Sequence, residues 1–121
     1  KKAERLRKIA KEAASQCGRG IIPEVSTAMG FDVALAEGRK ADITLFCHEG
    51  GGTVPLSEII KERKYVSVAI FTGPEGGFSQ TEFDKAKSLE YNLVWLGNRI
   101  LRCETAPLCV LAAVMYSAAE F

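Results

Sequence analysis

Three glycine-containing segments of this sequence could hold a ligand against bare backbone. They are Cys47-His48-Glu49-Gly50, Gly73-Pro74-Glu75-Gly76-Gly77 and the segment from Gly97 to Arg102. Because glycine has no Cβ, a ligand can touch the main chain at such positions. Neither GxGxxG nor GxxxxGK[ST] occurs, and a carboxylate at Glu75 would repel phosphate, so the pattern favours a neutral or cationic ligand. One such segment alone is typical of a plain turn, but three at the same edge of a sheet favour a binding site.

A charged cluster lies beside the third segment. Arg99, Arg102 and Glu104 flank the apolar pair Ile100-Leu101. Two interpretations are open: a solvated surface with an Arg–Glu pair at the start of the last helix, or an apolar slot for a planar ring with charges that orient a substrate. His48 is more often a strand-end residue than a general base when it stands alone, although it follows a predicted strand.

The cysteine and histidine pattern argues against a metal site. The four cysteines, Cys17, Cys47, Cys103 and Cys109, form no CxxC, and His48 is the only histidine. We therefore expect no zinc site and no secreted disulfide framework. This pattern favours buried free thiols and a reducing, cytoplasmic location.

Length and composition indicate one globular domain. The chain has 121 residues, of which 47% are apolar and 26% charged, and its formal charge is +1. A balance so close to neutral provides no overall electrostatic footprint for nucleic acid, so any basic surface must be local or supplied elsewhere. The longest apolar runs, such as Val110–Val114, are far too short for a membrane span, and we expect no membrane partner.

Alternating strand and helix patterns predict an α/β fold, with a mostly parallel sheet and helices on both of its faces. The predicted helices cover 1–15, 26–37, 55–63, 79–89 and 104–120, and the predicted strands cover 42–47, 65–71 and 93–96. Gly18 is suited to the left-handed position after the first helix, and Gly30 interrupts the second. Ser79 and Glu82 have the spacing of a capping box. The carboxyl ends of the three strands lead into the three glycine segments.

Two long motifs resemble the bacterial 16S ribosomal RNA uridine N3-methyltransferase family, which belongs to the SPOUT class. They are the run from Ile70 to Ser79 (IFTGPEGGFS) and the run from Leu96 to Ala106 (LGNRILRCETA). The segments Glu12–Arg19 (EAASQCGR) and Ile22–Glu24 (IPE) are also similar to the upstream part of that family. The resemblance extends from about Lys8 to Tyr116 and implies a deep trefoil knot, an exception to the usual absence of knots in proteins.

The resemblance implies S-adenosylmethionine as the cofactor, and methylation of a uridine N3 in 16S ribosomal RNA of the small ribosomal subunit. Arg19 and Arg102 are then candidate cationic groups that orient the reactants, and Glu75 is a candidate base or an organiser of its loop, with no choice among them from sequence. The residues that the resemblance assigns to the cofactor pocket are Phe46, His48, Gly73, Pro74, Glu75, Gly76, Gly77, Leu96, Gly97, Ile100, Leu101, Thr105 and Ala106.

Two alternatives to this function are a SPOUT methyltransferase with another RNA target and a non-catalytic RNA-binding or assembly module. Intact glycine segments favour a working cofactor site over the second. Members of the family also carry an N-terminal RNA-binding domain of the PUA type and a first strand and helix of the SPOUT domain. The abrupt opening of the first helix at Lys1, together with the resemblance, leads us to expect that residues 1–121 are the C-terminal part of such a domain.

The last predicted helix indicates a homodimer. The stretch Ala106–Phe121 is apolar around most of its circumference and cannot direct every apolar side chain at one sheet. The resemblance agrees, because these methyltransferases pair through the knot region. The alternative is a helix buried within one subunit by preceding elements.

Overall fold

The computed structural model describes residues 1–61 and 64–119. The chain divides into two units, Lys1–Gly30 and Phe31–Phe121. Within the described ranges, no helix is both long enough and apolar enough to cross a membrane.

The first unit consists of helix α1 (Lys2–Gln16) and an irregular segment after it. Gly18 has a φ of 75°, its N–H donates to the Ser15 carbonyl, and the N–H of Arg19 donates to the Ala14 carbonyl. This is the glycine-terminated Schellman arrangement, and it confirms the predicted end of the helix. The Nε of Arg7 donates to the Val25 carbonyl at 2.8 Å and holds the irregular segment beside α1.

The second unit begins at helix α2 (Phe31–Gly38), so the predicted helix over 26–37 is wrong for its first five residues. Ser26, Thr27 and Gly30 have low helix propensity, and all three are exposed, so no packing offsets that weakness. The remaining elements are β1 (Ile43–Cys47), β2 (Val54–Pro55), α3 (Leu56–Ile60), β3 (Val68–Phe71), α4 (Gln80–Ser88), β4 (Asn92–Trp95) and α5 (Ala106–Ser117).

The four strands form one parallel sheet in the order β2-β4-β1-β3, which confirms the predicted α/β class. Central strand β1 is buried along its whole length, and its side chains alternate between two hydrophobic clusters. On one face, Leu45 packs with residues of α3 and α5, and on the other, Phe46 packs with residues of α2 and α4. Helices therefore cover both faces, as predicted.

Helix α3 and strand β3 are also shorter than the sequence indicated, and strand β2 was not predicted. Helix α3 ends at Ile60 and Lys61 is extended, while positions 62 and 63 of the predicted helix lie outside the described residues. Pro55 stands at the N-cap position of this helix and also belongs to strand β2, where it pairs with Trp95 of β4. Strand β2 is too short to show a sequence period. Strand β3 begins only at Val68, because the carboxylate of Asp42 accepts the preceding N–H groups of Val66 and Ser67 at 2.7 and 3.1 Å.

The last two helices differ in their caps: α4 has the predicted side-chain cap, whereas Thr105 stands at the N-cap position of α5 without a side-chain capping hydrogen bond within residues 64–119. Ser79 Oγ accepts the N–H of Glu82 at 3.1 Å, and the Glu82 carboxylate accepts the N–H of Ser79 at 2.9 Å, which confirms the capping box. Helix α5 has Thr105 at its N-cap position and a proline in its first turn. The helix covers Ala106–Ser117, so the predicted helix over 104–120 is too long at both ends, and its position 120 lies outside the described residues.

Candidate functional site

The carboxyl ends of β1, β3 and β4 open onto one cleft of about 210 Å³. In a parallel sheet these ends lie at the same edge, which is where ligands bind in open α/β folds. The loops after all three strands contribute to the cleft, as the glycine pattern predicted. Its lining residues are Cys47, His48, Glu49, Thr72, Gly73, Pro74, Glu75, Gly76, Gly77, Phe78, Trp95, Leu96, Gly97, Asn98, Arg99, Ile100, Leu101, Cys103 and Ala106.

The loop after β3 closes tightly on itself. The N–H of Gly77 donates to the Pro74 carbonyl at 2.8 Å, and Gly77 has a φ of 76°. A Cβ on Gly73 would lie 3.1 Å from the backbone nitrogen of Phe78 and 3.2 Å from the carbonyl carbon of Gly77. A side chain at position 73 would therefore force the loop to shift by a few tenths of an ångström, and the positive φ at position 77 favours glycine there. At Gly76, by contrast, a Cβ would meet no described atom within 4 Å, so bare backbone is accessible there.

The loop after β1 places an imidazole at the cleft. The backbone N–H of His48 donates to the Val94 carbonyl at 3.0 Å, which continues the pairing of β1 with β4. The His48 ring packs on Phe83 with centroids 4.4 Å apart, and a Cβ on Gly50 would lie 2.6 Å from Nε2. The ring thus lies between an aromatic side chain and a glycine, and it lines the cleft without a hydrogen bond from its nitrogens to any residue in the described ranges.

The loop after β4 supplies the apolar wall. Gly97 has a φ of 118°, a conformation that residues with a Cβ rarely adopt. Ile100 lines the cleft with 78% of its surface exposed, and half-buried Leu101 is beside it. The carbonyl of Arg102 then accepts the N–H groups of Thr105 and Ala106 at 2.9 and 3.0 Å, which turns the chain into α5.

A thiol lies between two carboxylates at the acidic end of the cleft. Cys103 Sγ donates to Glu104 Oε2 at 3.3 Å and is 3.8 Å from Glu75 Oε1. The hydrogen bond to Glu104, followed by partial desolvation and the charges of both carboxylates, raises the pKa of Cys103 above its usual 9.0. The thiol therefore stays protonated at neutral pH and contacts Glu75, a residue of the neighbouring loop.

The charges at the cleft favour a ligand with positive charge. The carboxylates of Glu49 and Glu75 line it, and Arg99 is the one cation among its lining residues. Neither Arg99 nor Arg102 forms an ion pair with Glu104 in residues 64–119, so the interpretation as an Arg–Glu pair finds no support there. An apolar wall, exposed main chain and carboxylates together suit a ligand that combines a planar ring with a cationic group.

The structure brings most of the expected cofactor residues together at this cleft. His48, the five residues of Gly73–Gly77, Leu96, Gly97, Ile100, Leu101 and Ala106 all line it. Phe46 is fully buried and reaches the cleft only through Phe78, on which it stacks at a centroid distance of 4.1 Å. Thr105 is at the N-cap position of α5 and does not line the cleft.

The three candidate catalytic residues have different surroundings. Glu75 is exposed and lines the cleft. Arg102 is exposed at the base of α5 and is not among the lining residues. Arg19 belongs to the first unit, where its Nε donates to the Ile21 carbonyl at 2.9 Å.

Several lining residues were not assigned to the pocket from sequence. They are Cys47, Glu49, Thr72, Phe78, Trp95, Asn98, Arg99 and Cys103. Cys47, Glu49, Asn98 and Arg99 lie within the glycine segments that the sequence singled out, and the other four adjoin a segment or the end of a predicted strand. Proximity in sequence was therefore the signal that could have assigned them to the pocket. Of the four free cysteines, only Cys47 is buried, and burial raises its pKa to about 12. The prediction of buried thiols is wrong for Cys17 and Cys109, which lie on exposed positions of their helix ends.

No group of three or more histidine, cysteine, aspartate or glutamate side chains suited to a metal ion occurs in the described residues.

Comparison with known proteins adds a family. A family model described as RNA methyltransferase domain matches residues 1–115. A curated Bacillus subtilis protein, ribosomal RNA small subunit methyltransferase E, is 37% identical over 96% of this chain and 47% of its own length. A solved ribosomal RNA small subunit methyltransferase E from Neisseria gonorrhoeae, bound to S-adenosyl methionine, is 30% identical with a TM-score of 0.82, over 95% of this chain and 47% of that one. A methyltransferase structure from Legionella pneumophila with bound SAM is 29% identical with a TM-score of 0.82, over 96% of this chain and 46% of that one. The chain thus spans about half the length of these relatives.

Proposed function

This chain belongs to the RNA methyltransferase domain family, and from that premise we propose that it forms the catalytic part of an S-adenosylmethionine-dependent enzyme that methylates ribosomal RNA of the small subunit. The observation that carries the proposal is the convergence of three glycine-bearing strand ends on one cleft. The names of the relatives support the RNA class. The bound ligands of the solved neighbours support the cofactor.

The residues of the cleft fit this cofactor by their chemistry. When bound, S-adenosylmethionine supplies an electrophilic methyl group on a positively charged sulfur. Glu49 and Glu75 provide carboxylates that favour positive charge in the cleft. Ile100 and Leu101 provide an apolar wall for a planar ring, and the open backbone at Gly76 provides hydrogen-bonding groups without a side chain in the way.

We propose uridine N3 as the methylated position, on the resemblance of the 70–79 and 96–106 motifs to the uridine N3-methyltransferase family. A uridine N3 carries a proton, so this chain must remove it and stabilise the resulting negative charge. Glu75 is the candidate acceptor, because its carboxylate lines the cleft, 3.8 Å from the Cys103 thiol. Arg102 is the candidate for charge stabilisation, since its guanidinium forms no ion pair within residues 64–119. Arg19 is a second candidate, in the first unit.

The same resemblance leads us to propose a trefoil knot of the SPOUT class and action in the cytoplasm, where ribosomal RNA is assembled into subunits. We also propose a homodimer. On α5, Val110 and Val114 are buried in the sheet-facing cluster, whereas Leu108 and Leu111 are 69% and 49% exposed. A second copy packed against this apolar side of the helix would cover both leucines.

The activity test uses the full-length protein with labelled S-adenosylmethionine and small ribosomal subunits that lack the modification. Digestion of the RNA to nucleosides should yield N3-methyluridine. A different methylated nucleoside would support the alternative of another RNA target. Absence of both cofactor binding in calorimetry and methyl transfer would refute the proposed enzyme and leave a non-catalytic RNA-binding module.

A further inference from the structure

The near-neutral charge of the chain conceals two oppositely charged parts. Residues 1–30 contain seven Lys and Arg against three Glu, a net charge of +4. Residues 31–121 contain nine Lys and Arg against twelve Asp and Glu, a net charge of −3. These two parts are the two structural units of the chain. A local basic surface is therefore present in the first unit, although composition alone concealed it.

Most of this positive charge lies on helix α1. Arg5, Lys8 and Lys11 follow one another at a spacing of three residues, so they form a row along the helix, and all three are exposed. Exposed Lys1 and Lys2 extend the positive charge at one end. The rise of an α-helix makes the row from Arg5 to Lys11 about 9 Å long.

The cations of this basic row (Arg5, Lys8 and Lys11) have no protein partner in the described part of the chain. The ion pairs found there join Lys40 to Glu37 and Lys85 to Asp32, all in the second unit. Arg7, by contrast, is engaged with the Val25 carbonyl. Glu4 and Glu12 lie four residues before and after Lys8 on the same helix, but neither forms an ion pair with the row in the described range 1–61, so its three cations are available to a polyanion.

We propose that the basic row of α1 contacts the phosphate backbone of the RNA substrate. The inference rests on the proposed function, because that function makes RNA the polyanion that the enzyme must hold. Lys and Arg contacts to phosphate carry affinity and orientation without reading the base sequence. The basic row would thus bind the RNA backbone, and the cleft of the second unit would bind the cofactor.

The experiment compares two triple variants of the full-length protein. R5Q/K8Q/K11Q removes the row, and R39Q/K64Q/K87Q removes one Arg and two Lys from exposed positions of the second unit. Glutamine is a good helix former, so α1 should be retained in the first variant. The measurements are the affinity for a small-subunit ribosomal RNA fragment at several salt concentrations, the KM for that RNA, and the Kd for S-adenosylmethionine.

We expect R5Q/K8Q/K11Q to weaken the salt dependence. The magnitude of the negative slope of log affinity against log salt should fall by about two, since each phosphate contact contributes roughly 0.7 to 0.9 to it. Its KM for RNA should rise at least tenfold with the Kd for S-adenosylmethionine unchanged. The second-unit variant should leave both the salt slope and the KM for RNA unchanged. A charge-conserving variant, R5K/K8R/K11R, should retain the wild-type slope, which would show that the positive charge of the row, and not the identity of its side chains, sets the slope.

Equal salt slopes for R5Q/K8Q/K11Q and the wild type would overturn the inference, as would equal losses in both triple variants. These outcomes are distinguishable from failure of the proposed function. If the proposed function fails, the wild-type protein itself transfers no methyl group to ribosomal RNA. If the wild type methylates RNA and the row variant keeps its salt slope, only the inference about α1 is refuted.

Discussion

Replacing Gly73 with alanine tests whether the loop after β3 shapes the cofactor cleft. The added Cβ would lie 3.1 Å from the nitrogen of Phe78, and 3.2 and 3.3 Å from the carbonyl carbon and Cα of Gly77. Optimal separations between such atoms are about 3.5 to 4.0 Å, so the loop must open by a few tenths of an ångström. The opposing atoms are backbone, which cannot rotate aside as a side chain can.

The size of the effect follows from where the strain is relieved. Overpacking of this kind costs about 1 to 3 kcal/mol. In the free protein the loop can open and weaken the 2.8 Å hydrogen bond from the Gly77 N–H to the Pro74 carbonyl. In the proposed site the cofactor binds the closed loop, so on this assignment the strain returns on binding. We therefore expect the Kd for S-adenosylmethionine to rise by about 5- to 150-fold.

Isothermal titration calorimetry on the full-length protein measures this change, with Gly51→Ala as the matched control. Gly51 lies in the loop after β1 but does not line the cleft, and a Cβ there would meet no described atom within 4 Å. The control should bind the cofactor as the wild type does. A Gly73→Ala protein with wild-type affinity and an unchanged melting temperature would refute the assignment of this loop to the cofactor.

Three further predictions concern single side chains. Arg102→Lys should lower turnover at least tenfold at an unchanged melting temperature, because lysine lacks the planar guanidinium fork; a parallel loss of stability would indicate a structural role instead. Burial raises the pKa of Cys47 from 9.0 to about 12, so the folded state retains a proton that the unfolded state releases. The free energy of unfolding is therefore unaffected by Cys47 below pH 9. Between pH 9 and pH 12 this thiol lowers it by up to about 1.4 kcal/mol per pH unit. Urea unfolding of Cys47→Ala should show a shallower alkaline decline, and identical slopes would contradict the argument. Leu108→Glu should produce a monomer in light scattering, whereas Val33→Glu, on α2 and 57% exposed, should not; a monomeric wild type at micromolar concentration would argue against the dimer.

Local signals in the sequence determined the order of the elements and the ends of several helices. Gly18 and the pair Ser79 and Glu82 act within one turn of chain, so their types and spacing suffice to predict the caps. The apolar residues that predominate over 43–47 and 68–71 likewise predict strands from composition alone, and both segments are buried or half-buried strands. The parallel sheet then requires its strand ends to share an edge, and this led from sequence to the cleft.

Tertiary structure decided what no local pattern carries. Strand β3 begins late because Asp42, more than twenty residues earlier, binds the N–H groups of Val66 and Ser67. Phe46 is buried whereas Phe78 lines the cleft, since the two rings stack and only one can face outward. Cys103 contacts Glu75 across 28 positions of sequence. Such contacts depend on how distant segments pack in three dimensions, so residue type and spacing along the chain do not determine them.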